Sequence, residues 1–140
     1  MLLELIKGKY ETISIVGMAK NTGKTVTLNH LIGEAMEEDI PIGITSIGRD
    51  GENVDLVTET EKPKIYVENG TIVATTTELL PHGDAKVELL KVTDFRTPLG
   101  DIVIGRIKDS GYIQIAGPQR VNEAKKVSKY MLDLGAEFVL

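Results

Sequence analysis

The chain contains no cysteine and no tryptophan, and its aromatic residues amount to four Tyr and two Phe. Without thiols it has neither a disulfide framework nor a thiolate metal site. With so few rings, a stacking platform for single-stranded nucleic acid is not expected. Basic residues are outnumbered, 16 Lys and Arg against 21 Asp and Glu, and a net charge of −5 argues against a broad nucleic-acid surface. No segment is long and apolar enough to span a bilayer. The opening Met1-Leu-Leu-Glu-Leu-Ile-Lys7 lacks the basic start and long apolar run of a signal peptide. His30 and His82 each stand without a second His, Cys or carboxylate at ligand spacing, so a metal or general-base role is not expected for either. What remains is a chain of 140 residues, 41% hydrophobic and 26% charged, enough for one core. The reading is a single cytoplasmic domain over residues 1–140 with no nucleic-acid or membrane partner.

The most informative segment is Gly17-Met-Ala-Lys-Asn-Thr-Gly-Lys-Thr25. It lies between an apolar strand predicted over residues 12–16 and a helix predicted to begin near Gly23, with Leu28, Leu31, Ile32, Ala35 and Met36 at helical spacing. Such a loop surrounds phosphate oxygens with backbone N–H groups, aided by the positive end of the helix dipole. Lys24 would neutralise the β and γ oxygens as the catalytic cation, and the Thr25 hydroxyl would be a ligand of Mg2+. Gly17, Lys20, Asn21, Thr22, Gly23, Lys24, Thr25 and Val26 are the candidate nucleotide-binding residues. Asn21 and Thr22 could face phosphate or simply cap the helix. The bland alternative for the whole segment is a tight strand-to-helix turn with a solvated Lys24.

The common phosphate-loop pattern has four residues between its first glycine and the Gly-Lys-Ser/Thr triplet, whereas here five residues separate Gly17 from Gly23. In this the loop resembles that of dethiobiotin synthetase, which is likewise followed by Gly-Lys-Thr-Val, here Gly23 to Val26. Five residues before Lys24 stands Ala19, where the deviant loops of nitrogenase iron protein and the septum-site ATPases carry an extra lysine. Lys20 is one place off, so their role of reaching across a dimer interface is not assigned to it.

Residues 40–48 form a near-continuous apolar run suited to a buried parallel strand, which completes a β-α-β unit. Arg49-Asp-Gly-Glu52 would follow at the carboxyl end of that strand, the edge on which open α/β sheets bind ligands. Asp50 could hold Mg2+ through water and Arg49 could meet a phosphate or acidic substrate; an ordinary turn explains both equally simply. From 62 to 107 short strands and turns suggest an antiparallel β insertion. Within it, residues 64–68 and 71–75 are expected to pair as a hairpin around Asn69-Gly70, which suits a type I′ turn. Further strands are expected over 86–92, 101–107 and 112–116, and a short helix over 76–80. A second helix should follow Pro118, with Val121, Ala124, Val127, Met131 and Leu134 as its buried stripe and Gly135 as its C-cap. Gln119 and Arg120, at its first turn, could read a substrate or be solvated. The expected fold is therefore an α/β three-layer P-loop NTPase, a parallel sheet core built from strands near 12–16, 41–47, 112–116 and 138–140, with the antiparallel segment inserted.

The last residues, Glu137-Phe-Val-Leu140, begin like the strand that in P-loop proteins ends in an acidic residue near Mg2+. None follows before Leu140. This predicts an N-terminal piece of a longer protein, with nucleotide binding retained and catalysis weak or absent; otherwise Asp50 serves alone. Taken together, the phosphate loop with Leu28-Asn29, Thr45-Ser-Ile-Gly-Arg-Asp-Gly-Glu52, Lys62-Pro63 with Gly70 and Ala74-Thr75, and Ile115-Ala-Gly-Pro118 resemble the P-loop subunit of the lysine and ornithine aminomutase reactivases. The resemblance implies an ATP- and Mg2+-dependent partner of a cobalamin-dependent aminomutase or of a second reactivase subunit. Two other classes stay open: a small-molecule ligase or kinase like dethiobiotin synthetase, and a nucleotide-binding module without turnover. No Asn-Lys-x-Asp segment reads guanine, so ATP is expected, with GTP open.

Overall fold

A computed structural model of the chain describes residues 24–46, 64–118 and 120–139. In chain order the elements are α1 (Lys24–Glu37), β1 (Ile42–Ile44), β2 (Lys64–Val67), β3 (Ile72–Thr76), a 3₁₀ turn (Leu80–His82), β4 (Lys86–Thr97), β5 (Gly100–Asp109), β6 (Gly111–Gln114), α2 (Val121–Asp133) and β7 (Phe138–Val139).

Helix α1 starts at Lys24, directly after Gly23, and buries Leu31, Ile32 and Ala35, as its spacing predicts. It ends in a tight turn in which Asp39 N–H donates to the Met36 carbonyl and Ile40 N–H to the Ala35 carbonyl. Asp39 takes the left-handed conformation there, at φ 58°. Ile40 packs back on the same cluster as Ala35, and the chain enters β1. Helix α2 closes in the same way around Gly135 at φ 126°, with Gly135 N–H bonded to the Leu132 carbonyl and Ala136 N–H to the Met131 carbonyl. Both are Schellman endings, in which the last carbonyls of the helix gain donors as the backbone reverses. Each delivers the chain into a strand: β1 after α1, β7 after α2.

These strands are neighbours. The main sheet has the order β4-β5-β3-β1-β7, with β1 parallel to both β3 and β7, while β3 with β5 and β5 with β4 are antiparallel. On one face Ile42, Ile44, Val73 and Ile107 form a core with Leu31, Ile32 and Ala35 of α1 and with Ile65, Val67 and Ile113 of the separate β2-β6 sheet. On the other face Ile72, Ala74, Ile102 and Ile104 pack against Val127 and Met131 of α2. Gly43 sits under Met131, where a Cβ would come within 2.8 Å of the Met131 Cε.

The expected three-layer parallel-core P-loop fold is thus corrected. Among the described residues the sheets are mixed and antiparallel, only β7, β1 and β3 run parallel, and strands outweigh the two helices. The segment expected as an insertion supplies β3, β4 and most of β5 to the main sheet itself. The hairpin expected around Asn69-Gly70 does not form: β2 pairs with β6, and β3 with β1 and β5. The reason is burial. All five residues of β3 are buried, which requires a strand on each side and cover on each face; a hairpin arm alternating between core and solvent provides neither. A turn remains, with Thr71 N–H on the Glu68 carbonyl at 3.1 Å, but it is not the expected type I′ turn, since Gly70 has φ 99° while Asn69 is not left-handed, and the chain then leaves one sheet for the other. The strand expected over 112–116 as part of the core is β6, in the two-stranded sheet. A helix over 76–80 is replaced by the 3₁₀ turn at Leu80–His82, and the strand expected over 86–92 continues to Thr97. Val121, placed in the buried stripe of α2, is exposed in its first turn, whereas Ser128 is buried. The strand expected over 12–16 lies outside the described residues.

Candidate functional site

Only residues 38–41 separate α1 from β1, α1 shares a core with Ile42 and Ile44 of that strand, and the sequence candidates on α1 fall in its first turn. Lys24, Thr25 and Val26 form that first turn. The remaining candidates, Gly17, Lys20, Asn21, Thr22 and Gly23 of the loop and Asp50 with Arg49, lie outside the described residues, as does Gln119. Arg120 is the N-cap of α2 and makes no side-chain capping bond.

The carboxyl ends of the parallel strands are tied together by groups in segments that carry the resemblance but to which the sequence reading gave no role at the site. Gly43 pairs with Ile72 and Ile44 with Val73, so Thr75 lies level with Ser46, just past the end of β1. Thr75 Oγ1 donates to the Gln114 carbonyl at 2.9 Å and accepts from Ala116 N–H at 3.2 Å. Both bonds are buried, and they hold the strand residue Gln114 and the segment 115–118 against β3. Gly117 then lies on the Ser46 backbone so closely that a Cβ would collide with the Ser46 carbonyl. Beside them the Thr45 Oγ1 is buried with no hydrogen-bond partner among the described residues. The edge at the carboxyl ends of β1 and β3 is therefore built of Thr45, Ser46, Thr75, Thr76 and the Ala116-Gly117-Pro118 run that leads into α2. Its signal in the sequence is hydroxyl residues closing apolar runs, Ile42-Gly-Ile-Thr45 and Ile72-Val-Ala-Thr75.

No group of three or more His, Cys, Asp or Glu that could hold a metal occurs among the described residues. The expected Mg2+ donors are the Thr25 hydroxyl and Asp50, and neither side chain is among the described ones. On α1, His30 Nε2 lies 3.0 Å from Glu34 Oε2 one turn on, with the His30 side chain 53% exposed and that of Glu34 11%. The pair carries a charge interaction only while His30 is protonated. Among the described residues no helix is long and apolar enough to cross a membrane.

No family model, curated protein or solved structure matches the chain.

Proposed function

We propose that the chain binds a nucleoside triphosphate, ATP before GTP, in the loop formed by residues 17–25. One coincidence carries the reading: the Gly-Lys-Thr triplet of the sequence meets the first residue of a 14-residue helix at Lys24. Three free N–H groups and the positive end of the dipole accompany any such helix start, and a phosphate needs both. The reading does not depend on a parallel-core fold, because loop amides, helix start and lysine act locally. Supporting it, the helix that starts at Lys24 leads through a short turn into β1 of the main sheet.

In this proposal Lys24 neutralises the β and γ oxygens, and the amides following Gly17 cradle them. Lys20, Asn21, Thr22 and Val26 line the loop. Mg2+ would be held by the Thr25 hydroxyl, with Asp50 contributing through water, and would supply charge neutralisation at the phosphates. The resemblance to the aminomutase reactivase subunits supports a use of ATP directed at a protein partner in the cytoplasm, as an ATPase whose nucleotide states differ in conformation.

Calorimetric titration of ATP and GTP with and without Mg2+ tests the division of roles. Thr25→Ala should lose the Mg2+-dependent part of the affinity and leave metal-free binding nearly intact. Equal losses in both conditions would remove Thr25 from the metal. Hydrolysis stimulated by an added aminomutase would support the partner-directed role, and phosphorylation or ligation of a carboxylated small molecule would replace it.

A further inference from the structure

Strand β4 is an edge of the main sheet, 12 residues long, and among the described residues no strand pairs with its outer side. It also carries two of the large exposed hydrophobic residues, Leu89 at 53% and Val92 at 61%. Leu89 faces Gly105 and Val92 faces Val103, and these alternate residues of β5 lie on one face of the sheet, so Leu89 and Val92 share that face. An unpaired edge with apolar residues beside it is a template for another strand.

We propose that this edge pairs antiparallel with β4 of a second copy of the chain. The charges along β4 decide the occupant and the register. A two-fold arrangement that sets Glu88 against Lys91 of the other copy sets Lys91 against Glu88 in turn, and places Val87 opposite Val92 and Leu89 opposite Leu90. Every cross-strand pair at the centre is then either apolar with apolar or opposite in charge, the combinations that stabilise adjacent strands. The irregularity between Leu89 and Lys91, where one extra residue enters β4, keeps these partners on common faces: Val87 and Leu89 before it match Val92 after it. Slipping by two residues destroys the match. In one direction Lys86 meets Lys91; in the other Val87 meets Asp94 and no charges pair. The other irregularities of β4 and its spaced basic residues Lys86, Lys91 and Arg96 discourage indiscriminate pairing. Within the monomer Glu88 reaches Lys108 at 3.6 Å while half exposed, and Lys91 lies 4.5 Å above the Tyr130 ring. Both therefore remain at the surface, available to the second copy.

Sedimentation equilibrium of the full chain over a concentration series tests this, with Glu88→Lys, Lys91→Glu and the double charge swap. The wild type should show a reversible monomer-dimer equilibrium. Each single variant sets like charges against each other twice across the two-fold axis, and should weaken dimerisation by at least about tenfold. The double swap recreates both pairs in reverse and should return to within about threefold of the wild type, since opposite charges again face each other across the strands. Circular dichroism of each variant separates misfolding from lost association. A wild type that stays monomeric to the highest soluble concentration, or a folded double variant that associates no better than the singles, would overturn the proposal.

Discussion

Two threonines one strand apart show how far a single hydroxyl's worth depends on its partners. Thr75 is fully buried and its Oγ1 serves both the Gln114 carbonyl and the Ala116 N–H. Replacing it by the isosteric Val leaves two buried backbone groups unpaired, at a cost of about 1–3 kcal/mol. Thr75→Ser keeps the oxygen and should recover most of that loss. Thr45 Oγ1 is buried without a partner among the described residues, so Thr45→Val removes a desolvated hydroxyl and breaks no bond there. Its stability should be unchanged or raised. Urea unfolding of the three variants checks both statements, and a Thr45→Val that falls as far as Thr75→Val would show that Thr45 has a partner this account lacks. A larger penalty is expected at Gly117, where any side chain meets the Ser46 carbonyl, a backbone atom that cannot swing away.

At the scale of elements, the helices and their exits dominate. Both helices reverse through the same Schellman geometry, but one uses Gly135 and the other Asp39. An Asp in the left-handed region is strained, and its charge lies at the negative end of the dipole of α1. Asp39→Gly should stabilise the chain by about 1 kcal/mol. Gly33, inside α1, has open space where a Cβ would stand, and Gly33→Ala should add about 0.5–1 kcal/mol through the entropy of the unfolded chain. Thermal unfolding of the two variants and their combination tests this; a loss at Gly33→Ala would mean that the face holding Gly33 is covered. These same elements mark what was legible in the sequence. The spacing of Leu31, Ile32 and Ala35, the Gly135 cap and the apolar run containing β1 are local signals, and each appears where they place it. Strand partnership is not local. Asn69-Gly70 signals a turn correctly, yet says nothing about whether β2 and β3 share a sheet, because that is settled by the burial of β3 between β1 and β5. For the same reason the parallel-core architecture could not be read from alternating elements: β3 meets β1 in parallel and β5 in antiparallel orientation, and nothing within its own residues distinguishes the two sides. Of the site, the helix start at Lys24 was legible, while the Thr75 bridge and the Gly117 contact join residues about forty positions or more apart and leave no local pattern.

At the scale of the whole molecule, one mixed sheet separates two cores, with α1 and the β2-β6 sheet on one face and α2 on the other. The carboxyl ends of β1 and β3 are joined through Thr75 and the 115–118 segment. A nucleotide that binds only the folded chain should stabilise it by mass action, by about 2.7 kcal/mol at a hundred times its Kd. The dimer proposed through β4 uses a different strand, so Glu88 and Lys91 variants should leave that stabilisation unchanged. The central claim is the phosphate loop itself. Its most direct test is the equilibrium binding isotherm of ATP with Mg2+ for the wild type and Lys24→Ala, with Gly33→Ala as a folded control on the same helix. The account predicts saturable binding by the wild type and the control, and a loss of about 2–5 kcal/mol, more than tenfold in affinity, for Lys24→Ala. Equal binding by Lys24→Ala, or no binding of ATP or GTP by the folded wild type at millimolar concentration, would contradict it.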